Sequence, residues 1–387
     1  MTGGEMHSRL ALAVAFYISL FALAASADTI DAIDFSSPRE KSMGGSHVAL
    51  ADDSSVLLSN PAGLADVPRQ VSVADLGIQA IGPVFDIANL LVGGSTSTTA
   101  IANFLASNNY RLYAGMDIEG PVAFGFTGGG LGFGLFNKTG LIINFASASS
   151  IAISAEEDML LTGGYAVRFD LGNGHELSVG ATAKGFVQGD VSTPTGMGII
   201  EAIGILSDPS TLLTQPFTLT TGIGLDAGLR WAWKSLAAGL VCHDIYSPAV
   251  VTTYSSFTDF LNSASGGTPQ YDTVDRKLDV GISWSPPLGR LGRVVDSLVL
   301  ALDYNDILDL TNPVPRNPIL NVGLGAEARI LEIVTLRAGI DNALLSAGMG
   351  LNLGVFTVNI VAYGAELGLD PGDRPYYNLL VDFDFKY

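Results

Sequence analysis

The chain has 387 residues, of which 48% are hydrophobic and only 15% are charged, so it can bury one large core or two ordinary ones. Its 38 acidic residues against 19 basic ones give a formal charge of −19, which argues against a nucleic-acid partner and against adsorption to anionic lipid. Cys242 is the only cysteine and excludes an intrachain disulfide. No run of about 18 apolar residues follows residue 27, so no membrane-spanning helix is predicted.

The first 27 residues have the pattern of a secretory signal peptide. Arg9 precedes an apolar stretch at residues 10–25, and Ala25-Ser26-Ala27 supplies the small residues of a cleavage site. A short anchor helix is the weaker alternative, because the apolar stretch is too short and ends in small residues. The pattern predicts export, with cleavage near Ala27.

Residues 28–70 lack long alternation and carry three short motifs: Met43-Gly44-Gly45, Ala51-Asp52-Asp53 and Asn60-Pro61-Ala62-Gly63-Leu64. Together these motifs resemble the N-terminal hatch of the long-chain fatty-acid transporter family of outer-membrane barrels, the FadL type, and of related secretion-associated barrels of the PorV type. The resemblance implies that residues 28–70 sit inside a barrel and block it. Asn60, Pro61, Ala62 and Gly63 would then form part of a gate. The residue types at these four positions by themselves predict a turn. The alternative to a gate is therefore an ordinary turn inside a plug.

From residue 71 onwards, apolar side chains alternate with glycine, polar or charged ones over many short stretches. The clearest stretches are residues 177–184, 223–233, 278–284, 298–304, 320–330, 334–341 and 376–387. Such alternation predicts strands of a barrel whose side chains point in turn to lipid and to the lumen. A soluble β-sandwich would alternate too, but the signal peptide, the terminal Tyr387 and the aromatic residues at strand ends favour the membrane barrel.

The number of these stretches and the lengths of their connections predict the number of strands and their orientation. About eleven strands follow residue 158, and three precede it at residues 71–80, 109–117 and 121–137, which gives about fourteen, as in the resembled family. Long connections at residues 188–217, 247–274, 306–317 and 364–375 are expected on the outer side of the membrane, with short turns on the other side.

Gly128, Gly129, Gly130 and Gly132 lie within the third predicted strand. Glycine weakens a strand and often marks a bulge or a kink. The resembled family has a kinked third strand that opens the wall sideways, so the resemblance implies a lateral gap at these glycines. A glycine-rich hairpin turn is the alternative, and it would raise the count to about sixteen strands.

The predicted outer loops are unusually apolar. Hydrophobic residues at helical spacing are Ile101, Phe104 and Leu105 in the first loop, Ile199, Ile203 and Leu206 in the second, and Phe257 with its neighbours in the third. Short amphipathic helices at the barrel mouth would gather hydrophobic ligands. The alternative is that these helices pack on one another and close the end.

Four basic residues fall on predicted lumen-facing positions: Lys184, Arg230, Arg329 and Arg337. A cation in a desolvated lumen is suited to hold the carboxylate of a ligand. The alternative is that these cations pair across the lumen with acidic residues, namely Asp226, Asp279, Asp303, Glu327 and Asp341.

Catalytic motifs are absent from the sequence. His47, His175 and His243 are far apart, and Cys242 and His243 are neighbours on a predicted strand, so their side chains are expected on opposite faces. We therefore predict no metal site, no cofactor and no enzyme, with a barrel esterase as a minor alternative.

The sequence thus predicts an all-β transmembrane antiparallel barrel of about fourteen strands. Its parts are a signal peptide at 1–27, a hatch at 28–70 and a barrel at 71–387, with short helices in the outer loops. The expected function is passive transport of hydrophobic molecules, most of all long-chain fatty acids, across a bacterial outer membrane. The expected partners are these ligands, membrane lipid and the barrel-assembly machinery, which would recognise the C-terminal strand. The alternatives are a PorV-type secretion or assembly partner and a purely structural barrel.

Overall fold

The computed structural model describes residues 29–30, 33–86, 89, 103–104, 106–107, 112–120, 124–147, 150–194, 196–198, 201–202, 204–205, 208–262 and 267–386. The predicted signal peptide lies outside these residues. So do Ile101, Leu105, Ile199, Ile203 and Leu206 of the predicted outer loops.

The described residues form one antiparallel sheet, joined by a single parallel strand pair. Its strands are β1 (Thr29–Ile30), β2 (Gln70–Ile81), β3 (Leu112–Glu119), β4 (Phe124–Gly128), β5 (Leu131–Ser147), β6 (Ser150–Gly172), β7 (His175–Ser192), β8 (Phe217–Trp233), β9 (Leu236–Tyr246), β10 (Pro248–Tyr254), β11 (Thr268–Val274), β12 (Lys277–Trp284), β13 (Val295–Tyr304), β14 (Val322–Ile330), β15 (Val334–Asp341), β16 (Leu344–Asn352), β17 (Phe356–Glu366) and β18 (Pro375–Lys386).

The wall is a closed barrel of fourteen strands, as predicted. It closes because β18 pairs with β2 from Asn378 opposite Ile81 to Lys386 opposite Ser72. Three strands of the wall are each formed in two pieces, since β3 with β4, β9 with β10, and β11 with β12 share the same neighbours. β1 is not part of the wall and pairs in parallel with β11.

The apolar face of the wall points outwards. On β18, Leu379 and Phe385 are exposed, whereas Asn378, Asp382 and Asp384 are buried. The same division holds around the barrel, where residues such as Ile223, Ile282, Leu302, Leu324, Leu336 and Ile360 are exposed on the outside. A large apolar surface that encircles a barrel is the face that contacts lipid. Recognition of β18 by the barrel-assembly machinery remains a prediction.

The long connections, those after β2, β7, β10, β13 and β17, all lie at one end of the barrel, as predicted. The predicted loops began too early at residues 188 and 247, because β7 continues to Ser192 and β10 occupies Pro248–Tyr254. Short helices are α1 (Pro38–Ser42) and α2 (Phe257–Asn262). No helix in the described part of the chain is long and apolar enough to cross a membrane.

One predicted strand is wrong. Residues 121–137 do not form a single strand, since Gly129 and Gly130 make the turn of a hairpin between β4 and β5. Gly128, Gly129 and Gly130 have φ values of 153°, 63° and 83°, which glycine adopts without strain. Gly132 lies at the start of β5. The hairpin does not add strands, because β4 completes the strand that β3 begins.

The hatch segment, which we define as residues 33–67, precedes the wall and lies against its inward-facing residues. It contains α1 and two 3-10 turns at Ser54–Leu57 and Pro61–Ala65. The turn Pro61–Ala65 packs on β6, β7 and β8, whereas α1 packs on β15, β16 and β17. The segment therefore contacts opposite parts of the wall.

The outward orientation of the apolar face predicts a depth-dependent cost of charge. Ile360, at the centre of β17, and Leu345, next to the turn before β16, are both exposed on the outside. We expect Ile360→Arg to destabilise the folded barrel in lipid vesicles by about 2–4 kcal/mol, and Leu345→Arg by about 0–1 kcal/mol. Urea titration of folding into vesicles measures both values. Equal costs at the two positions would contradict this orientation.

Candidate functional site: the hatch segment and the lumen

A buried ion-pair network fixes the hatch segment to the wall. Arg39 of α1 donates to both carboxylate oxygens of Glu327 on β14, from Nε at 2.9 Å and from Nη2 at 2.8 Å. Arg39 also binds the carboxylates of Asp52 and Asp53 within the segment, and Glu327 accepts a second bond from Nε of Arg337 at 2.7 Å. Because leaving either charge of a buried pair unpaired is costly, this network holds α1 at one position on the wall.

The network keeps its charges over a wide pH range. Burial favours the neutral form of Asp53, but the guanidinium of Arg39 outweighs this effect and holds the pKa of Asp53 well below its usual range. A lowered carboxyl pKa stabilises the folded state above the pKa of the unfolded chain, and this contribution is lost only as the pH falls through the lowered value. The anchor is therefore intact at neutral pH.

Asn60 joins two parts of the hatch segment to the wall. Its Oδ1 accepts a hydrogen bond from the amide of Ala62 at 3.0 Å and so caps the turn Pro61–Ala65. Its Nδ2 donates to the carbonyl oxygens of Val48 at 2.8 Å and of Leu229, on β8, at 3.2 Å. Asn60, Pro61, Ala62 and Gly63 are all buried. They form a firmly held turn, and a gating role for them remains a prediction.

Inward-facing glycines of the wall make room for the hatch backbone. A Cβ atom at Gly228 would lie 1.9 Å from Oδ1 of Asn60, and one at Gly180 would lie 2.3 Å from the carbonyl oxygen of Pro61. The same close approach occurs at other inward glycines of the wall, namely Gly239, Gly323, Gly325, Gly339 and Gly348. Sequence analysis placed glycine on the inner face without assigning it this role. The signal that it missed is the concentration of glycine on the inner face of adjacent strands.

A wall carboxylate binds the loop that follows α1. Oδ2 of Asp303, on β13, accepts hydrogen bonds from the backbone amides of His47 at 2.6 Å and Val48 at 2.8 Å. The alternative reading of Asp303, that it pairs with a lumen cation of the wall, is thus replaced by a contact with the hatch backbone. The pair of amides gives the segment a further attachment, on the strand next to the one that carries Glu327.

The hatch segment separates two cavities. The upper cavity, of about 660 Å³, lies towards the end with the long connections and is lined by charged groups, with acidic residues in the majority. The lower cavity, of about 470 Å³, lies towards the opposite end and is lined by four basic residues, Arg39, Arg329, Arg337 and Lys386, and by six acidic ones. Acidic residues therefore outnumber basic ones in both cavities.

An apolar cluster lies where the two cavities meet. Phe35 and Leu58 of the hatch segment pack with Phe136, Leu160 and Phe186 of the wall. Phe35 and Leu58 line both cavities. Sequence analysis missed these wall residues. They could have been found as apolar side chains among the polar ones on the inner face of β5, β6 and β7. The region where the two cavities meet thus has an apolar lining.

Three of the four predicted carboxylate-binding cations have partners in the protein. Lys184 lies 3.0 Å from Asp226 and 2.9 Å from Asp244, and Arg230 binds Asp66 of the hatch segment at 2.8 Å. Arg337 is held by Glu327, as described above. These pairs follow the alternative that sequence analysis gave, in which lumen cations neutralise acidic residues. Arg230 also donates from Nε to the carbonyl oxygen of Ala49 at 2.9 Å, so it holds the hatch segment by two contacts.

Arg329 differs from the other three. It is exposed in the lower cavity, and within the described part of the chain it makes no ion pair or hydrogen bond. Its charge is free to meet a ligand, whereas the charges of Lys184, Arg230 and Arg337 are already compensated.

The strand that β3 and β4 form together is described up to Gly120 and again from Phe124. β3 ends at Glu119 opposite Lys138 of β5, and β4 begins at Phe124 opposite Leu135. The amide of Gly120 donates to the carbonyl oxygen of Asn137 at 2.9 Å. Gly120 and Phe124 line the lower cavity. A lateral opening of the wall remains a prediction.

The described loop residues pack on one another at the upper end of the barrel. Phe257 of α2 packs edge-on against Phe217, with ring centroids 5.1 Å apart, and Phe104 packs on the same apolar cluster. Phe260 also packs against Phe217, with tilted rings 4.8 Å apart. These contacts match the alternative in which the loops pack on one another. Ligand capture by the loops remains a prediction and requires this cluster to open.

His47, His243 and Asp279 come together on the border of the upper cavity, with potential ligand atoms within 4.8 Å of one another. Sequence analysis predicted no metal-ligand cluster, because the two histidines are far apart in the chain. The structure brings the three together because the hatch segment carries His47 against the strands that carry the other two residues. The absence of a metal site stays a prediction.

No protein-family model and no curated protein matches the sequence. Among solved structures, the chain is similar to the monoaromatic hydrocarbon channel CymD, with a TM-score of 0.49 and 12% identity over 90% of this chain and 96% of that one. It is also similar to the toluene transporter TbuX of Ralstonia pickettii (TM-score 0.49, 13% identity, 93% and 98% covered) and to a FadL homologue of Pseudomonas aeruginosa (0.46, 10%, 92% and 98%).

With identities of 10–13% and TM-scores of 0.46–0.49, these likenesses assign neither a family nor a function to this chain. We therefore derive the function from the residues of this chain.

The anchor at Glu327 gives a testable prediction. Removing one partner of a buried pair costs about 3–5 kcal/mol, although Asp52 and Asp53 retain part of the attachment of Arg39. We expect trypsin to cleave folded Glu327→Gln protein after Arg39 and Lys41 at least about tenfold faster than wild type, since cleavage tracks the opened population.

Glu332→Gln is the matched control for this experiment. It makes the same chemical change in the turn after β14, where the side chain of Glu332 makes no ion pair among the described residues. Its cleavage rate should equal that of wild type. Equal rates for both variants would show that Glu327 does not anchor the segment.

Proposed function

We propose that this protein is an outer-membrane transporter that lets hydrophobic molecules diffuse passively across the membrane. The observation that carries the proposal is the apolar cluster between the two cavities. A hydrophobic molecule gains from contact with Phe35, Phe136 and Phe186, whereas water and ions lose their hydration there. The cluster is contributed partly by the hatch segment, so a small shift of Phe35 and Leu58 connects the cavities.

Long-chain fatty acids are the substrates that we propose first. An alkyl chain fits the apolar cluster, and a carboxylate fits the lower cavity better than the upper one, because Arg329 is exposed there without a partner among the described residues. Acidic groups outnumber basic ones in both cavities, so this preference rests on Arg329. A fatty acid would therefore pass with its head group towards the lower cavity.

We also propose a lateral exit through the wall next to Phe136. Gly120 and Phe124 border the lower cavity, and Phe136 on the facing strand β5 belongs to the apolar cluster. A ligand that leaves through the wall enters the apolar phase of the membrane directly and avoids the polar lower mouth of the barrel. The proposed path runs from the upper cavity past Phe35 to this part of the wall.

Uptake measurements test the proposed function. In cells that lack their own fatty-acid transporter, expression of the wild-type chain should raise the uptake of radiolabelled oleate above that of cells with an empty vector. The same cells should show no increase for a hydrophilic solute of similar mass, because the apolar cluster excludes it. Uptake of oleate at the level of the empty vector would refute transport of fatty acids.

Arg329 gives a separate prediction about the head group. An ion pair at an exposed position contributes about 0.2–1 kcal/mol, so Arg329→Ala should weaken oleate binding by up to about fivefold. Binding of the matched long-chain alcohol should not change, since it has no charge. Arg293→Ala, in an exposed turn at the same end of the barrel, is the control and should bind both ligands like wild type. An equal loss for oleate and alcohol would exclude a carboxylate contact.

The second candidate is a secretion or assembly partner of the PorV type. The observation that favours it is the firmly anchored hatch segment, together with the packing of Phe257 on Phe217 at the upper end of the barrel. Such a barrel would present its outer loops to a protein. Purification from native membranes distinguishes the two, because a stable protein partner without lumen lipid supports the second candidate.

A further inference from the structure

Three side chains from separate parts of the chain converge on the border of the upper cavity. His47 belongs to the hatch segment, His243 to β9 and Asp279 to β12. Oδ2 of Asp279 lies 3.5 Å from Nε2 of His243 and 4.0 Å from Nε2 of His47. Two imidazoles therefore point the same ring nitrogen at one carboxylate, and the three side chains are largely buried.

The other ring nitrogen of each histidine is already oriented by the protein. Nδ1 of His47 lies 2.7 Å from the carbonyl oxygen of Gly45, a contact that requires a proton on Nδ1. In the neutral ring this leaves the lone pair on Nε2, which faces Asp279. Nδ1 of His243 lies 3.7 Å from Oδ2 of Asp226. In metal-bound histidines, the ring nitrogen that does not bind the metal usually contacts a carbonyl or carboxylate oxygen.

The wall is irregular at His243. Leu225 of β8 pairs with Tyr246, yet Ala227 pairs with Cys242, so three residues of β9 face a single residue of β8. Within this bulge Asp244 has a φ of 53°, a strained value for a residue other than glycine. Bulges are frequent where a side chain must be aimed at a site. Here the bulge lies at His243, and Asp244 turns to Lys184 in the lumen.

We propose that His47, His243 and Asp279 bind a divalent transition-metal ion of the Zn²⁺ type that connects the hatch segment to the wall. Two imidazole nitrogens and one carboxylate oxygen are a common ligand set for zinc, and the fourth position would face the upper cavity and hold water. The nitrogen ligands disfavour Mg²⁺ and Ca²⁺, which prefer oxygen. In a tetrahedral site the ligand atoms lie about 3.3 Å apart, so side-chain shifts of about 1 Å close it.

Such an ion would bind the hatch segment at a point separate from Arg39 and Glu327. His47 lies two residues after the Met43-Gly44-Gly45 loop, and the metal would connect this loop to both β9 and β12. The proposal does not depend on which molecule the barrel transports. Failure of zinc binding would therefore leave the transport proposal untouched, and failure of oleate uptake would leave the metal site untouched.

Isothermal titration of the detergent-purified protein, with any affinity tag removed, tests the site with ZnCl₂ as the probe. We expect one ion per chain, and no binding of MgCl₂ under the same conditions. His47→Gln and His243→Gln should each weaken Zn²⁺ binding by at least about tenfold, as even the loss of an outer partner of a ligand costs about 10–100-fold. His175→Gln is the matched control, because His175 stacks on Trp231 and Trp233 in another part of the wall.

A second measurement uses the wild-type chain alone and so does not depend on the folding of variants. Co²⁺ in place of Zn²⁺ should give the intense visible absorption of a four- or five-coordinate site, and ZnCl₂ should displace it. Absence of this absorption would overturn the proposal. So would Zn²⁺ affinities that are equal in His47→Gln, His175→Gln and wild type. The altered gel mobility of folded barrels before and after heating shows that each variant is folded.

Discussion

The position of the N-terminal segment depends on one buried ion pair, between Arg39 and Glu327. A guanidinium and a carboxylate that share two hydrogen bonds in a low-dielectric lumen cannot separate without a large loss of free energy. The other contacts between the segment and the wall add to this ion pair. The amides of His47 and Val48 on Asp303, and Asn60 on the carbonyl of Leu229, distribute the contact around the lumen.

The inner face of the wall has room for the hatch segment. A barrel of fourteen strands encloses more space than its own side chains fill, and the inward glycines let the backbone of the segment approach the strands directly. Between the two cavities, Phe35 and Leu58 face Phe136 and Phe186. One segment therefore combines a firm attachment with apolar side chains in the lumen, and the proposed transport would move Phe35 and Leu58 while the ion pair of Arg39 stays in place.

The wall could be predicted from the sequence because a period of two residues is a local property. The alternation in β18, and in the other long strands, is visible without knowledge of any neighbour. The hairpin at Gly129 was misassigned because glycine in a strand pattern is compatible with both a kink and a turn, and only the pairing of β4 with β5 decides between them. The count of fourteen was unaffected by this error.

The site was much less predictable, because it depends on contacts between distant residues. That Lys184 and Arg230 are neutralised, whereas Arg329 is not, depends on which acidic residues the register brings close. The convergence of His47 and His243 depends on the path of the hatch segment and on a bulge that no local pattern reveals. The apolar residues of the inner face were the one available signal, since Leu160 and Phe186 interrupt an otherwise polar set.

Hydrogen–deuterium exchange of the wild-type protein in lipid bilayers tests the central claim most directly, because it reports whether the N-terminal segment is held inside the barrel. The account predicts that amides of residues 39–64 exchange as slowly as those of the strands β14 and β15, although this segment forms no strand with the wall. Complete exchange of these amides at the rate of an unstructured peptide, with the strands still protected, would contradict it.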